Sequence, residues 1–157
     1  MKTNGTHNAI IALASAVREQ ANALILNLLA KRGVTDILPA HGAVLSVLFR
    51  ESPQQMSALA KAIGRKKNTV TSLVGTLEER GYCRRTVDPR DARAQLVALT
   101  DRGEALRAVQ AEVSGELLRR VWAGVSEQEK DTCVTVLQMV LQNLERDITE
   151  KKGEHHE

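Results

Sequence analysis

Aromatic residues are almost missing from this 157-residue chain: Phe49, Tyr82 and Trp122 are all it has, 2% of the total. Stacking platforms for unpaired bases are built from rings, and so are the cages that hold methylated cations, so the composition argues against both functions. The core must instead be aliphatic. Glycine and proline are also scarce, at 10 and 3 residues, which favours helices. Two cysteines, Cys83 and Cys133, do not make a disulfide framework. No apolar run approaches the roughly 20 residues of a membrane span. The apolar part of the N-terminal stretch MKTNGTHNAIIALASAV continues into a helical pattern, so it is not read as a signal peptide. A cytoplasmic protein without membrane contact is expected. Catalytic signatures are lacking too: there is no Gly-rich phosphate loop, HExxH, GxSxG or CxxC. The expectation is therefore a protein that is not an enzyme and needs neither metal nor cofactor; His155 and His156 are two ligands at most and no metal site.

What is present is a charge that changes sign along the chain. The net charge of +3 is mild. Residues 50–100, however, hold ten Lys/Arg against five Asp/Glu, and residues 101–157 hold eight against twelve. A basic middle third joined to an acidic C-terminal third is a reasonable footprint for a polyanion.

Helical periodicity runs through most of the chain. Ile10, Leu13, Val17, Ala21, Leu24 and Leu28 recur at spacings of three and four over residues 6–32, with Gly33 as a stop. A second helix over 36–51 takes Pro39 in its first turn and has Ala43, Val44, Val47 and Leu48 as its apolar face. Two short helices follow. One spans 55–63 and ends at Gly64; the other has Asn68 as its N-cap, buries Val70, Leu73, Val74 and Leu77, and closes at Gly81. This is the sequence form of a helix-turn-helix. Residues 82–100 then switch to a hairpin pattern, with Asp88-Pro89 starting the turn and Leu96, Val97 and Leu99 on the return strand. A helix over 101–122 carries Asp101 and Glu104 at its start and Arg119 and Arg120 near its end, as the helix dipole prefers. Ser126 and Glu129 form a capping box before a last helix that runs to about 150. Its Val134, Leu137, Leu141, Leu144 and Ile148 make a seam of a and d positions.

The second helix of the helix-turn-helix has an unusual outward face. Thr69, Thr71, Ser72, Gly75 and Thr76 are small and uncharged, and no carboxylate comes before Glu78. A solvated helix normally carries Lys and Glu; a helix lying in a major groove needs short hydrogen-bonding groups. Arg65, Lys66 and Lys67 stand at its N-terminus, where the dipole and the cations together favour phosphate. The hairpin tip carries Arg90 and Arg93 among Asp88 and Asp91. Arginine suits a narrow minor groove, and Asp91 is placed to brace the Arg93 guanidinium.

On the segments LAKAIGRKKNTVTSLVGTLEERGYCRR and DPRDARAQLVALTDRG, the chain resembles the MarR family of winged-helix transcription regulators. The second segment is the more specific, since the Asp-x-Arg tip, the strand and the Leu-Thr-x-x-Gly helix start occur in register. It departs from the family's pattern at Asn68, where Ser is frequent, and at Ala92, where a second basic residue is frequent. The resemblance implies a mainly α-helical protein with a small β-hairpin wing, and a homodimer whose helices from both chain ends form the interface. It implies DNA contacts at Asn68, Thr69, Thr71, Ser72, Thr76, Arg90, Asp91 and Arg93, beside the phosphate anchors Lys66 and Lys67 read from the helix entry. The expected organisation is a dimerisation helix over 1–35, a winged helix-turn-helix over 36–100, connecting and dimerisation helices over 101–150, and a flexible tail over 151–157. Ile10, Val17, Leu24, Val134, Leu137, Leu141, Leu144 and Ile148 are the expected dimer residues; their broad apolar stripes call for a partner independently of the resemblance. The resemblance also implies a small organic effector, a phenol or another aromatic acid, bound between the dimer region and the winged domain, with His41 nearby. The expected function is a ligand-responsive repressor that binds an inverted-repeat site in double-stranded DNA. The competing readings are a winged interaction module that has lost DNA binding and a thiol-based redox sensor using Cys83 or Cys133.

Overall fold

A computed structural model describes residues 9–153, with side chains described as far as residue 146. Among the described residues six helices and a small sheet follow one another as α1 (Ile10–Ala30), α2 (Pro39–Arg50), β1 (Gln54–Gln55), α3 (Met56–Ile63), α4 (Lys67–Glu79), β2 (Cys83–Asp88), β3 (Asp91–Leu99), α5 (Asp101–Val121) and α6 (Glu127–Gly153). Mainly helical architecture with a hairpin wing is thus what the chain adopts. The chain divides into two compact units, with the boundary between Leu117 and Leu118, inside α5.

In the first unit the core is aliphatic, as the missing rings require. Val44, Leu45, Leu48, Leu59, Val70, Val74, Leu77 and Val97 are all at most 1% exposed, drawn from α2, α3, α4 and β3. On α2 the buried face is Val44, Leu45, Val47 and Leu48; Ala43, expected inside, is not buried. Gly64 takes a left-handed conformation (φ 66°) that ends α3 and turns the chain. The helix after it starts earlier than expected. Lys66, in an extended conformation, is the cap residue of α4 and makes no side-chain cap bond, so Asn68 lies inside the first turn and caps nothing.

The sheet has the order β1-β3-β2, antiparallel throughout, with Gln54 opposite Val97 and Cys83 opposite Leu99. A register shift at Val87/Asp88 opens the wing tip. β1 is two glutamines long and has no β-former; nothing in the sequence marks it.

The root of the wing is fixed to α5. The Thr100 hydroxyl donates to the Gly81 carbonyl (2.6 Å) and accepts from the Gly103 N–H (3.1 Å), so Thr100 caps α5. The Tyr82 hydroxyl donates to Asp36 Oδ1 (2.7 Å), and Arg102 reaches Asp36 Oδ2 (3.1 Å) while its guanidinium stacks over the Tyr82 ring at 4.4 Å. Arg80, the C-cap residue of α4, donates to the Asp36 carbonyl. One aspartate in the α1–α2 connection thereby holds the end of α4, the start of β2 and the start of α5.

Apolar side chains remain uncovered in each unit. On α1 they are Ile10, Ile11, Leu13 and Val17, 39–65% exposed. Leu24 differs: it is half-buried and packs on the core. In the second unit Val134, Val136, Leu137, Met139, Leu141 and Leu144 of α6 are 44–57% exposed. Ile148 lies outside the residues whose side chains are described. The Ser126–Glu129 capping box is present, with Ser126 N–H to Glu129 Oε2 at 2.9 Å and Glu129 N–H to Ser126 Oγ at 3.4 Å. α6 extends through Gly153, so residues 151–153 belong to the helix; the remainder of the expected tail, 154–157 with both its histidines, lies outside the described residues.

Candidate nucleic-acid interface

α4 buries Val70, Val74 and Leu77 and turns Asn68, Thr69 and Ser72 to solvent, with Thr71, Gly75 and Thr76 half-buried beside them. Arg65, Lys66 and Lys67 are exposed at its entry. Without a side-chain cap, the first-turn N–H groups have no side-chain partner at the positive end of the helix dipole. The hydroxyls of Thr71 and Thr76 donate back to the carbonyls of Lys67 (2.9 Å) and Ser72 (3.3 Å). Farther along, Glu78 is withdrawn from the surface field. Its carboxylate accepts from the Arg85 N–H (2.8 Å) and Nε (2.7 Å), and these bonds hold its pKa below the usual glutamate value. The pair ties β2 to α4.

The wing is braced differently from the expectation. Asp91 Oδ1 accepts the backbone N–H of Arg93 (3.0 Å), not its guanidinium. The side chain that orders the tip is Asp88, whose carboxylate is fully buried. It accepts from the Arg90 N–H (2.9 Å) and from Gln55 Nε2 of β1 (2.7 Å), with Arg90 Nε at 3.5 Å. The backbone bond from Arg90, then the Gln55 bond, hold its pKa below the ordinary aspartate value. Arg90 itself is 83% exposed at the tip, and Arg93 is exposed on β3. Buried carboxylate and exposed cation fit together: the negative charge positions the loop and the positive one is presented outward.

Helix and wing meet across an open groove of about 520 Å³. Lys67 and Thr71 line it from α4, Asp91 and Arg93 from the wing, and Gln55 and Ser57 from the β1–α3 segment. Lys66, Asn68, Thr69, Ser72, Thr76 and Arg90 stand outside this groove, on the outward side of α4 and at the wing tip. Gln55 escaped the sequence reading because it lies in a strand with no signal. Asp88 was visible there only as a turn residue.

A second cavity, about 170 Å³, lies between α1, α2 and α5. Ile25, Leu29, Ile37, Leu38, Val113 and Leu117 make its walls apolar; Ser46, Gln110 and Ser114 supply polar groups. His41 is not among its lining residues. It is 3% exposed, and its Nδ1 accepts the Leu38 N–H (3.1 Å), closing the first turn of α2. Burial, then the Arg80 charge, push its pKa below the ordinary histidine value against the opposing pull of Asp36. A helix-capping role accounts for this histidine. Cys83 is buried, and its thiol pKa is raised to about 11, first by burial and then by Glu78; Cys133 is exposed. Among the described residues no cluster of His, Cys, Asp and Glu fits a metal ion, and no helix is long and apolar enough to cross a membrane.

Two short helices joined by a left-handed glycine, followed by a hairpin whose arginines flank the second helix, define a winged helix-turn-helix protein. A sequence model of the MarR family matches residues 38–94, from the start of α2 into the return strand of the wing. The chain is 27% identical over 99 residues to an uncharacterized HTH-type transcriptional regulator, YkoM, of Bacillus subtilis (strain 168); the match spans 63% of this chain and only 64% of that protein's length. Its fold is similar to PcaV of Streptomyces coelicolor, solved in complex with its natural ligand (TM-score 0.77, 20% identity, 90% of this chain and 96% of that one). It is similar as well to a mutant MarR from E. coli complexed with operator DNA (TM-score 0.75, 24% identity, 87% and 98%).

Proposed function

We propose that the protein is a homodimeric, sequence-specific regulator that binds an inverted-repeat site in double-stranded DNA and acts as a ligand-responsive repressor. The observation that carries this reading is the shared groove, in which Lys67 and Thr71 of α4 face Asp91 and Arg93 of the wing. On this reading Lys66 and Lys67 anchor phosphates, the outward residues of α4 read the major groove, and Arg90 and Arg93 enter the minor groove. The exposed apolar rows of α1 and α6 support a two-fold dimer. Two recognition helices then lie one DNA turn apart, about 34 Å, which is why the site is an inverted repeat.

The cavity between α1, α2 and α5 supports a small organic effector. Its polar lining of two serines and a glutamine contains no cation, which fits a phenol better than a carboxylate. An effector favouring one spacing of the two helices couples its own binding to that of DNA.

The test is a titration of a duplex carrying the region upstream of the chain's own gene, at two salt concentrations. Affinity should fall with a log–log slope of about −0.9 for each phosphate neutralised. Arg93→Ala should weaken specific binding by about 1–3 kcal/mol and leave the dimer intact. Failure to retain any duplex at low salt would leave the winged interaction module as the better reading. The buried, high-pKa thiol of Cys83 argues against that cysteine as a redox sensor.

A further inference from the structure

The back-bonded threonines of α4 bear on which base pairs it reads. With Oγ1–H committed to the carbonyl four residues earlier, Thr71 and Thr76 offer a γ-methyl and oxygen lone pairs but no donor. In the major groove, guanine presents two acceptors, which call for a forked donor such as arginine. Thymine presents a methyl group, and adenine an N6 donor beside its N7 acceptor. Beyond Lys67, α4 has no Lys or Arg. Of the arginines after its far end, Arg80 is committed to the Asp36 carbonyl and Arg85 to Glu78, while Arg84 is exposed on β2. Asn68, exposed in the first turn, has the amide that pairs with adenine.

We infer that α4 is built to read A·T pairs, with thymine methyls packed against the γ-methyls of Thr71 and Thr76. The inference rests on the DNA-binding reading above and names its substrate: duplexes whose half-sites present thymines in the major groove. The cations at the helix entry and in the wing remain for phosphates and the minor groove.

Deoxyuridine in place of thymine removes the methyl and leaves base pairing and the minor-groove edge as they were. The probe is the duplex that the full-length protein selects from a randomised pool at low salt. Each contacted thymine replaced by deoxyuridine should weaken binding about fourfold, the equivalent of about 0.8 kcal/mol for one buried methyl group. Thr71→Ser and Thr76→Ser keep the hydroxyl and remove the methyl, so each should abolish the penalty at its own thymine. Tight binding that tolerates deoxyuridine at every position would overturn the inference while leaving DNA binding intact. So would a deoxyuridine penalty equally large in the serine variants, or selected half-sites with G·C pairs under α4. Retention of no duplex would overturn the regulator reading, and this inference with it.

Discussion

Replacing Gly103 by alanine sets two well-understood effects against each other. Gly103 sits in the first turn of α5, and its φ is not positive, so its backbone accepts an L-residue without strain. Helix propensity alone predicts a gain of about 1 kcal/mol. The added Cβ, however, would lie 2.0 Å from the Tyr82 carbonyl oxygen and 3.0 Å from Leu99 Cδ2. The obstacle is backbone, so relief needs a shift of roughly 1 Å at the root of the wing. Such overpacking costs about 1–3 kcal/mol, and an immobile carbonyl belongs at the upper end of that range. The shift also disturbs the Thr100 cap and the Thr100 N–H bond to the Tyr82 carbonyl (3.2 Å), a further cost of about 1 kcal/mol. The expected net loss is about 2–3 kcal/mol. Gly115, in the same helix with nothing within 4 Å of its Cβ position, is the control: Gly115→Ala should gain up to about 1 kcal/mol. Urea denaturation of both variants measures the difference. Equal stabilisation by the two alanines would refute the close approach of α5 to β2.

Three further outcomes follow from the titrating groups. The lowered pKa of His41 means that the unfolded chain binds more protons between that value and 6.5, so stability should fall as pH drops through this window and be flat above it. His41→Gln should flatten that slope in urea midpoints taken across pH 5 to 8. Native-state labelling with iodoacetamide near pH 7.5 should modify Cys133 and spare Cys83, whose thiol is buried with a pKa raised to about 11; rapid labelling of both would contradict its burial. Asp88, with its pKa lowered, stabilises the wing above the ordinary aspartate value of 3.8, and this is lost as pH falls through the folded value. Asp88→Ala should remove hydrogen-exchange protection from the Arg90 amide and weaken DNA binding without unfolding the core; retained protection would show that the tip does not depend on the carboxylate.

The helices and the hairpin were legible because apolar spacing reports directly on burial. Val70, Val74 and Leu77 are fully buried as their spacing demands. The errors lie where a local preference met a larger tertiary constraint. Asn68 is a better cap than Lys66 by propensity, a difference of about 1 kcal/mol. The left-handed Gly64 and the burial of Val70 nevertheless start α4 earlier in the chain. β1 exists because Leu96 and Val97 leave an edge to be paired, which no local pattern of two glutamines announces. Leu24 shares the helical stripe of Val17, yet α1 packs on the core at one end and is bare at the other, and periodicity cannot say where the change occurs.

Charge shows the same division between count and placement. Ten cations on residues 50–100 marked a polyanion-binding segment, but the count treats every cation alike. Arg80 holds the α1–α2 connection through the Asp36 carbonyl, and Arg85 neutralises Glu78. Both are partly buried fixtures of the fold. Arg65, Lys66, Lys67, Arg90 and Arg93 are exposed, and all lie at the entry of α4 or on the wing. Carboxylates in the same segment are sorted in parallel: Asp88 is buried under the tip it orders, and Glu78 is bound to Arg85. Withdrawing two cations and two carboxylates leaves the net charge of the segment as it was, but gathers five exposed cations at the entry of α4 and on the wing. That sorting is what turns a mildly basic stretch of sequence into a surface suited to a phosphate backbone.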